Sequence, residues 1–171
     1  MPETKIPPHS EEAEVCVLGS ILIDKDAIIT VAEFLRPEHF YQPQNQLIYQ
    51  ALLDLYEERK PIDIVTLKEK LKTQKSFSKI GGAGYLTGLV NSVPTSAHVE
   101  EYGQIIKDGY TKRELISSAG KITEWAFDEG NQAAEVLDKA EQSIFALSQK
   151  HLRQVFIPMK DLLAESFDRL D

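Results

Sequence analysis

The chain has 171 residues, one cysteine and a formal net charge of −8. That length suits one cored domain with an appendage and is short for two independent domains. The acidic balance works against a broad footprint on nucleic-acid phosphates, and Cys16 alone excludes an internal disulfide.

Residues 1–9 contain three prolines and read as a short arm. The arm lacks the charged start and unbroken apolar run of a secretory signal, and no window reaches the length needed to span a bilayer, so the cytosol is the expected compartment. Ser10 is a suitable cap for a helix running to about Ile23, with Val17, Leu18, Ile21 and Leu22 on its apolar face and Cys16 packed as a small hydrophobe. Asp24-Lys25-Asp26 can cap a second helix that directs Ile28, Val31, Ala32 and Leu35 inward and ends before Pro37. A third begins after Pro43 and carries Leu47, Ile48, Ala51, Leu52, Leu55 and Tyr56, with Arg59-Lys60 complementing its carbonyl end.

Pro61 stops that helix and Asp63 can cap the next, which carries Val65, Leu67 and Leu71. After a loop from Ser76 to Gly82, the stretch Ala83–Asn91 resumes with Tyr85, Leu86, Leu89 and Val90. Ser96 opens a long helical stretch to Glu129 in which Gly103, Gly109 and Gly120 predict at least one break. Leu115, Ala119, Ile122 and Ala126 then step by four, three and four. Ala133, Leu137, Ala140, Ile144 and Leu147 step by four, three, four and three, with Gly130-Asn131 as the stop between them. Glu135, Asp138, Glu141, Gln142 and Lys150 fall largely off the second seam. Two narrow, alanine-rich stripes predict a thin antiparallel hairpin that hides little apolar surface and needs another surface to cover it. Pro158 suits the first turn of a last helix with Met159, Leu162, Leu163, Phe167 and Leu170 on one side, and Val155-Phe156-Ile157 is the only strand-like run. The fold class is all-α.

Catalytic chemistry finds little support. Ala119-Gly120-Lys121-Ile122 has the Gly-Lys pair of a P-loop, but Leu115 stands where the earlier glycine belongs and Ile122 where the hydroxyl residue belongs. Ile80-Gly81-Gly82-Ala83-Gly84 reads as a tight turn. His9, His39, His98 and His151 lack metal-ligand spacing, with His98 a surface or capping residue. Glu11, Glu12 and Glu14 complement the positive end of the first helix. Trp125 and Tyr110 are expected to pack in the hairpin. Basic spots at Arg59-Lys60, Lys68 to Lys75 and Lys112-Arg113 read mainly as solvated helix faces.

The order of motifs resembles the opening of bacterial replicative DNA helicases of the DnaB type. The resemblance is carried by Ile6-Pro7-Pro8-His9-Ser10-Glu11-Glu12-Ala13-Glu14, Val17-Leu18-Gly19-Ser20 and Asp24, then Phe40-Tyr41, Ile48-Tyr49 with Ala51, and Pro61-Ile62-Asp63 with Thr66-Leu67. Gly81-Gly82 with Tyr85-Leu86 and Arg113-Glu114-Leu115-Ile116 complete it. Asn45 stands where a histidine is expected and His98 where an asparagine is usual.

The resemblance implies an arm over 1–9, a helical head over 10–105, a hairpin over 106–151 and a linker helix over 152–171. A RecA-like motor using ATP and magnesium would lie beyond Asp171, and no catalytic, cofactor or metal residue is expected in this chain. It further implies a ring collar built as a trimer of dimers through Leu115, Ala119, Ile122, Ala126, Leu137, Ala140, Ile144 and Leu147, and docking of primase. The linker residues Met159, Leu162, Leu163, Phe167 and Leu170 would dock on the neighbouring subunit's motor. Single-stranded DNA is expected to bind weakly, through Lys112, Arg113 and the Lys68–Lys75 helix, or only in the full ring. The competing expectation is a freestanding adaptor or regulator built on the collar fold.

Overall fold

The computed structural model describes residues 5–168, with side chains described through Leu152. The described residues form seven α-helices and no strand: α1 (Glu11–Ile23), α2 (Ala27–Ala32), α3 (Pro43–Glu57), α4 (Ile64–Thr73), α5 (Gly82–Asn91), α6 (Val99–Phe127) and α7 (Ala133–Asp168). A 3-10 turn, Pro37–His39, lies between α2 and α3. No described helix is long and apolar enough to cross a membrane. The chain divides into two compact units, Met1–Tyr110 and Thr111–Asp171.

The first unit is built around α1. Ser10 is extended and its Oγ accepts the Ala13 N–H at 3.2 Å, which starts the helix where the sequence places it. Val17, Leu18, Gly19, Ser20 and Ile21 are all buried, so the middle of α1 is enclosed, with α2, α3 and α5 packed against the helix. Gly19 is where α5 comes closest: a Cβ there would lie 2.4 Å from the Leu89 carbonyl oxygen and 2.5 Å from Val93 Cγ2. Cys16 is only half-buried, and partial burial with Glu12 nearby raises its pKa.

α2 ends at Ala32, earlier than the apolar spacing suggests, because Arg36 turns back and donates Nη1 to the carbonyls of Ala32 at 2.6 Å and Leu35 at 3.0 Å. Leu35 is nevertheless fully buried, and Arg36 is extended, as a residue before proline favours. α3 opens on Pro43 and buries Ile48, Tyr49, Ala51, Leu52 and Leu55. Tyr56, expected inside, is exposed, whereas Tyr49 fills the core and donates its hydroxyl to the Leu35 carbonyl at 3.3 Å.

α3 and α4 end alike. Arg59 and Lys75 adopt left-handed backbone (φ 55° and 56°), and the following amides close back on the helices, Lys60 on Leu55 at 2.9 Å and Ser76 on Leu71 at 2.8 Å. These are Schellman closures with a basic residue where glycine is usual. Asp63 caps α4 by accepting the Thr66 N–H at 2.8 Å while Thr66 Oγ1 accepts the Asp63 N–H at 3.1 Å. Leu67 and Leu71 turn inward, but Val65 is 70% exposed, one position off the buried stripe. Gly81 and Gly82 both have positive φ (89° and 67°), the backbone a tight turn into α5 requires.

α6 begins at Val99, three residues after Ser96, and runs 29 residues without the expected break. Gly103 and Gly109 are buried, and tertiary packing there outweighs the ~1 kcal/mol a glycine costs in a helix. At Gly103 a Cβ would fall 2.8 Å from Phe34 Cζ, so the glycine admits a neighbour and does not end the helix. Gly120 is exposed and is carried by strong helix formers on either side. α7 likewise continues through Pro158 and through Val155-Phe156-Ile157, so the separate last helix and the strand-like run of the sequence reading give way to one helix. Ile157 is a poor N-cap, and an unstopped helix before proline loses one amide bond without needing to restart. The side chains of Met159, Leu162, Leu163 and Phe167, and all of Leu170, lie outside the described residues.

Candidate assembly and docking surfaces

In the second unit none of the described residues 111–152 is buried. The half-buried positions Ser118, Ile122 and Trp125 on α6 and Val136, Ala140, Ser143 and Leu147 on α7 recur at helical spacing and mark one sheltered face on each helix. Where α6 turns into α7, Gly130 donates its N–H to Asp128 Oδ1 at 3.0 Å, Asn131 Nδ2 donates to the Trp125 carbonyl at 3.2 Å, and Lys139 Nζ sits 5.9 Å from the Trp125 ring centre. Trp125 therefore packs in the hairpin as read from sequence. Tyr110 does not: it belongs to the first unit, with its ring 4.7 Å from that of His39.

The eight seam residues divide. Ile122, Ala140 and Leu147 are on the sheltered faces, while Leu115, Ala119, Ala126, Leu137 and Ile144 are exposed. Leu137 is 70% exposed and is joined by Phe127 at 82%, Phe145 at 63%, and Ile116 and Leu152. Among the described residues this unit has no interior, and large apolar side chains left exposed on such a unit suit contact with another polypeptide. The polar residues Glu135, Asp138, Glu141, Gln142 and Lys150 are all exposed.

The first unit contains a buried polar cluster that local reading misses. Glu14 is 1% exposed, and its carboxylate accepts the backbone N–H of Tyr41, that of Gln42 at 3.3 Å and the side-chain amide of Asn45 at 2.7 Å. Asn45 Oδ1 in turn accepts the Tyr85 hydroxyl at 2.7 Å, so one acid ties α1 to α3 and, through Asn45, to α5. The expectation that Glu14 only complements its own helix end is corrected, because its partners lie 27 to 31 residues away. Glu11 joins it by accepting from Gln42 Nε2 at 2.5 Å. His9 lays its ring on Tyr41 at 3.9 Å, and His98 is exposed just ahead of α6. An open groove of about 600 Å³ on the same unit is lined by Ile29, Tyr56 and Ile62 with Lys25, Arg59 and Lys60.

Gly120 and Lys121 lie inside α6, where backbone amides are engaged in the helix and cannot cradle phosphates. Among the described residues, no three His, Cys, Asp or Glu side chains gather as metal ligands.

A sequence model described as the DnaB-like helicase N terminal domain matches residues 6–108. The chain belongs to that family. The replicative DNA helicase DnaB of Geobacillus stearothermophilus is 34% identical over 167 residues, a match covering 98% of this chain and 37% of that protein. The chain thus spans little more than a third of that relative. Among solved structures, the N-terminal domain of DnaB helicase from Mycobacterium tuberculosis has a TM-score of 0.77 at 38% identity, covering 82% of this chain and 99% of that one. A DnaB-like replicative helicase described with its interactions with primase has a TM-score of 0.67 at 28% identity, covering 82% of this chain and 31% of that one. The all-helical fold of the DnaB N-terminal domain family is therefore the fold of this chain, and Asn45, the departure from the expected histidine, still supplies the polar contact between Glu14 and Tyr85.

Proposed function

We propose that this chain is the assembly collar of a cytoplasmic replicative DNA helicase, joining subunits as a trimer of dimers and docking primase on the ring. The supporting observation is the hairpin unit, which has no buried residue among those described yet exposes Leu115, Ile116, Phe127, Leu137, Ile144, Phe145 and Leu152. Pairing two hairpins into a four-helix bundle would cover these side chains, with Leu115, Ala119, Ala126, Leu137 and Ile144 at the contact and Ile122, Ala140 and Leu147 beneath it. Primase as a partner rests on the structural relative described with it. In the same reading the segment 152–171 is a linker whose Met159, Leu162, Leu163, Phe167 and Leu170 dock on a neighbouring subunit's motor. That motor holds the ATP and magnesium, and single-stranded DNA is bound weakly by one copy and better by the ring.

Sedimentation equilibrium of the chain and of the double variant Leu137→Asp/Ile144→Asp tests the assembly. The parent is expected to sediment as a dimer or higher species at micromolar concentration, and the variant to fall toward the protomer mass with its head still folded. Equal masses and equal helicity for the two proteins would reject the assignment.

A further inference from the structure

Between Lys68 and Lys79 the chain carries five lysines and one acidic residue, in a protein whose overall charge is −8. Lys68 and Lys72 are four residues apart on α4, a step that moves the charge about 6 Å along the axis, and Lys75 and Lys79 continue the series past the helix end at Thr73. The stripe is ordered. Lys68 and Lys72 each place Nζ 5.9 Å from the centre of the Phe77 ring, which sets two ammonium groups about one aromatic ring. Lys75 leaves the helix in left-handed backbone, fixed by the closure of Ser76 on Leu71, and Lys79 follows in a turn closed by its N–H on the Ser76 carbonyl at 3.0 Å.

The nearby acids are engaged elsewhere on the stripe or beside it. Glu69 meets Lys72 at 3.0 Å, and Glu58 is taken by Lys60 at 2.6 Å and by Lys70. Lys68, Lys75 and Lys79 have no carboxylate within ion-pair distance among the described residues. Between Val65 and Ile105 no large hydrophobic side chain is exposed among the described residues, and the stripe's neighbours are Thr73, Gln74 and Ser78. Protein interfaces favour an apolar centre and are depleted of lysine, whereas a phosphodiester backbone needs only spaced cations.

We propose that the Lys68–Lys72–Lys75–Lys79 stripe is a sequence-independent contact for the sugar-phosphate backbone of single-stranded DNA on the head. It rests on the reading above and narrows the expected DNA contact, which included Lys112 and Arg113 as well as the Lys68–Lys75 helix, to α4 and the turn after it.

Fluorescence anisotropy of the whole chain with fluorescein-labelled oligothymidylate, across 50–200 mM NaCl, tests it. The Lys68→Gln/Lys75→Gln/Lys79→Gln variant should bind at least about ten-fold more weakly at the low-salt end. Its slope of log affinity against log salt should be shallower by about 2, the release expected for three phosphate contacts on a single strand. The corresponding triple arginine variant should stay within about two-fold of the parent, and each single Gln variant should give roughly a third of the slope change. Parent-like binding by a triple Gln variant of unchanged circular dichroism would overturn the proposal. So would tighter binding of a labelled oligoglutamate of equal charge, which would assign the stripe to an acidic protein. The lysine dependence should persist in Leu137→Asp/Ile144→Asp, so losing it is separable from losing the assembly.

Discussion

Gly19 shows how much a single position decides in the head. α5 passes so close to α1 that a methyl group at residue 19 would overlap the Leu89 carbonyl, and backbone cannot move aside as a side-chain tip can. Gly19→Ala is expected to lower stability by about 1–3 kcal/mol, the usual range for overpacking, as read by urea denaturation of the chain. A loss below about 0.5 kcal/mol would mean that α5 can slide. Glycine's own low helix propensity works in the opposite direction by only ~1 kcal/mol, so the sign of the result separates the two effects.

At the scale of elements, the caps were legible and the long-range polar contacts were not. Ser10 and Asp63 lie next to the amides they satisfy, so a four-residue window suffices to find them. Glu14 looks the same as Glu11 and Glu12 in such a window, and only the fold brings Tyr41, Gln42 and Asn45 to it. The hairpin was legible as two helices, and the eight residues of its named seam divide between a sheltered face and an exposed one. Each helix carries two neighbouring apolar stripes, and counting hydrophobicity selects the one with more leucine and isoleucine. That stripe is largely the exposed one, while the sheltered face mixes Ser118, Trp125, Ala140 and Ser143 with Ile122, Val136 and Leu147. Glycines in α6 and the proline in α7 were overweighted as punctuation, since a helix with packing along its length tolerates the loss of one good residue.

The junction of α3 and α4 supplies the prediction for this scale. Hydrogen bonds from Lys60 and then Lys70, helped by both charges, hold the Glu58 carboxyl at about 2, below its ordinary 4.5. A carboxylate whose folded pKa is depressed stabilises the fold above its unfolded value and loses that contribution as the pH falls toward the folded one. Glu58→Gln is therefore expected to weaken the chain at neutral pH, with the difference from the parent shrinking between about pH 4.5 and 2. Thermal melts over that range check it. The pair is exposed, so the same difference should also shrink in 1 M salt, where charges beyond ~3 Å are screened.

For the whole molecule, the proposed self-assembly predicts that stability depends on protein concentration. A hairpin with no buried residue among those described would gain from any copy that covers it, by mass action, whereas the head has its own interior in Leu18, Ile48, Tyr49, Leu52 and Leu67. Trp125, the single tryptophan, reports on the hairpin alone. Its fluorescence midpoint in a thermal scan is expected to rise over a hundred-fold increase in concentration, and to stop doing so in Leu137→Asp/Ile144→Asp. A midpoint indifferent to concentration in the parent would count against self-assembly.

The Glu14 cluster carries a further consequence. Every group that Glu14 holds is an amide, so its grip is made of dipoles at contact distance and involves no opposite charge. Mobile ions screen charges across solvent and do little to a sheltered bond between a carboxylate and N–H groups. A head fastened this way keeps α1 and α3 together in brine as well as in dilute buffer, while the Glu58 junction loosens.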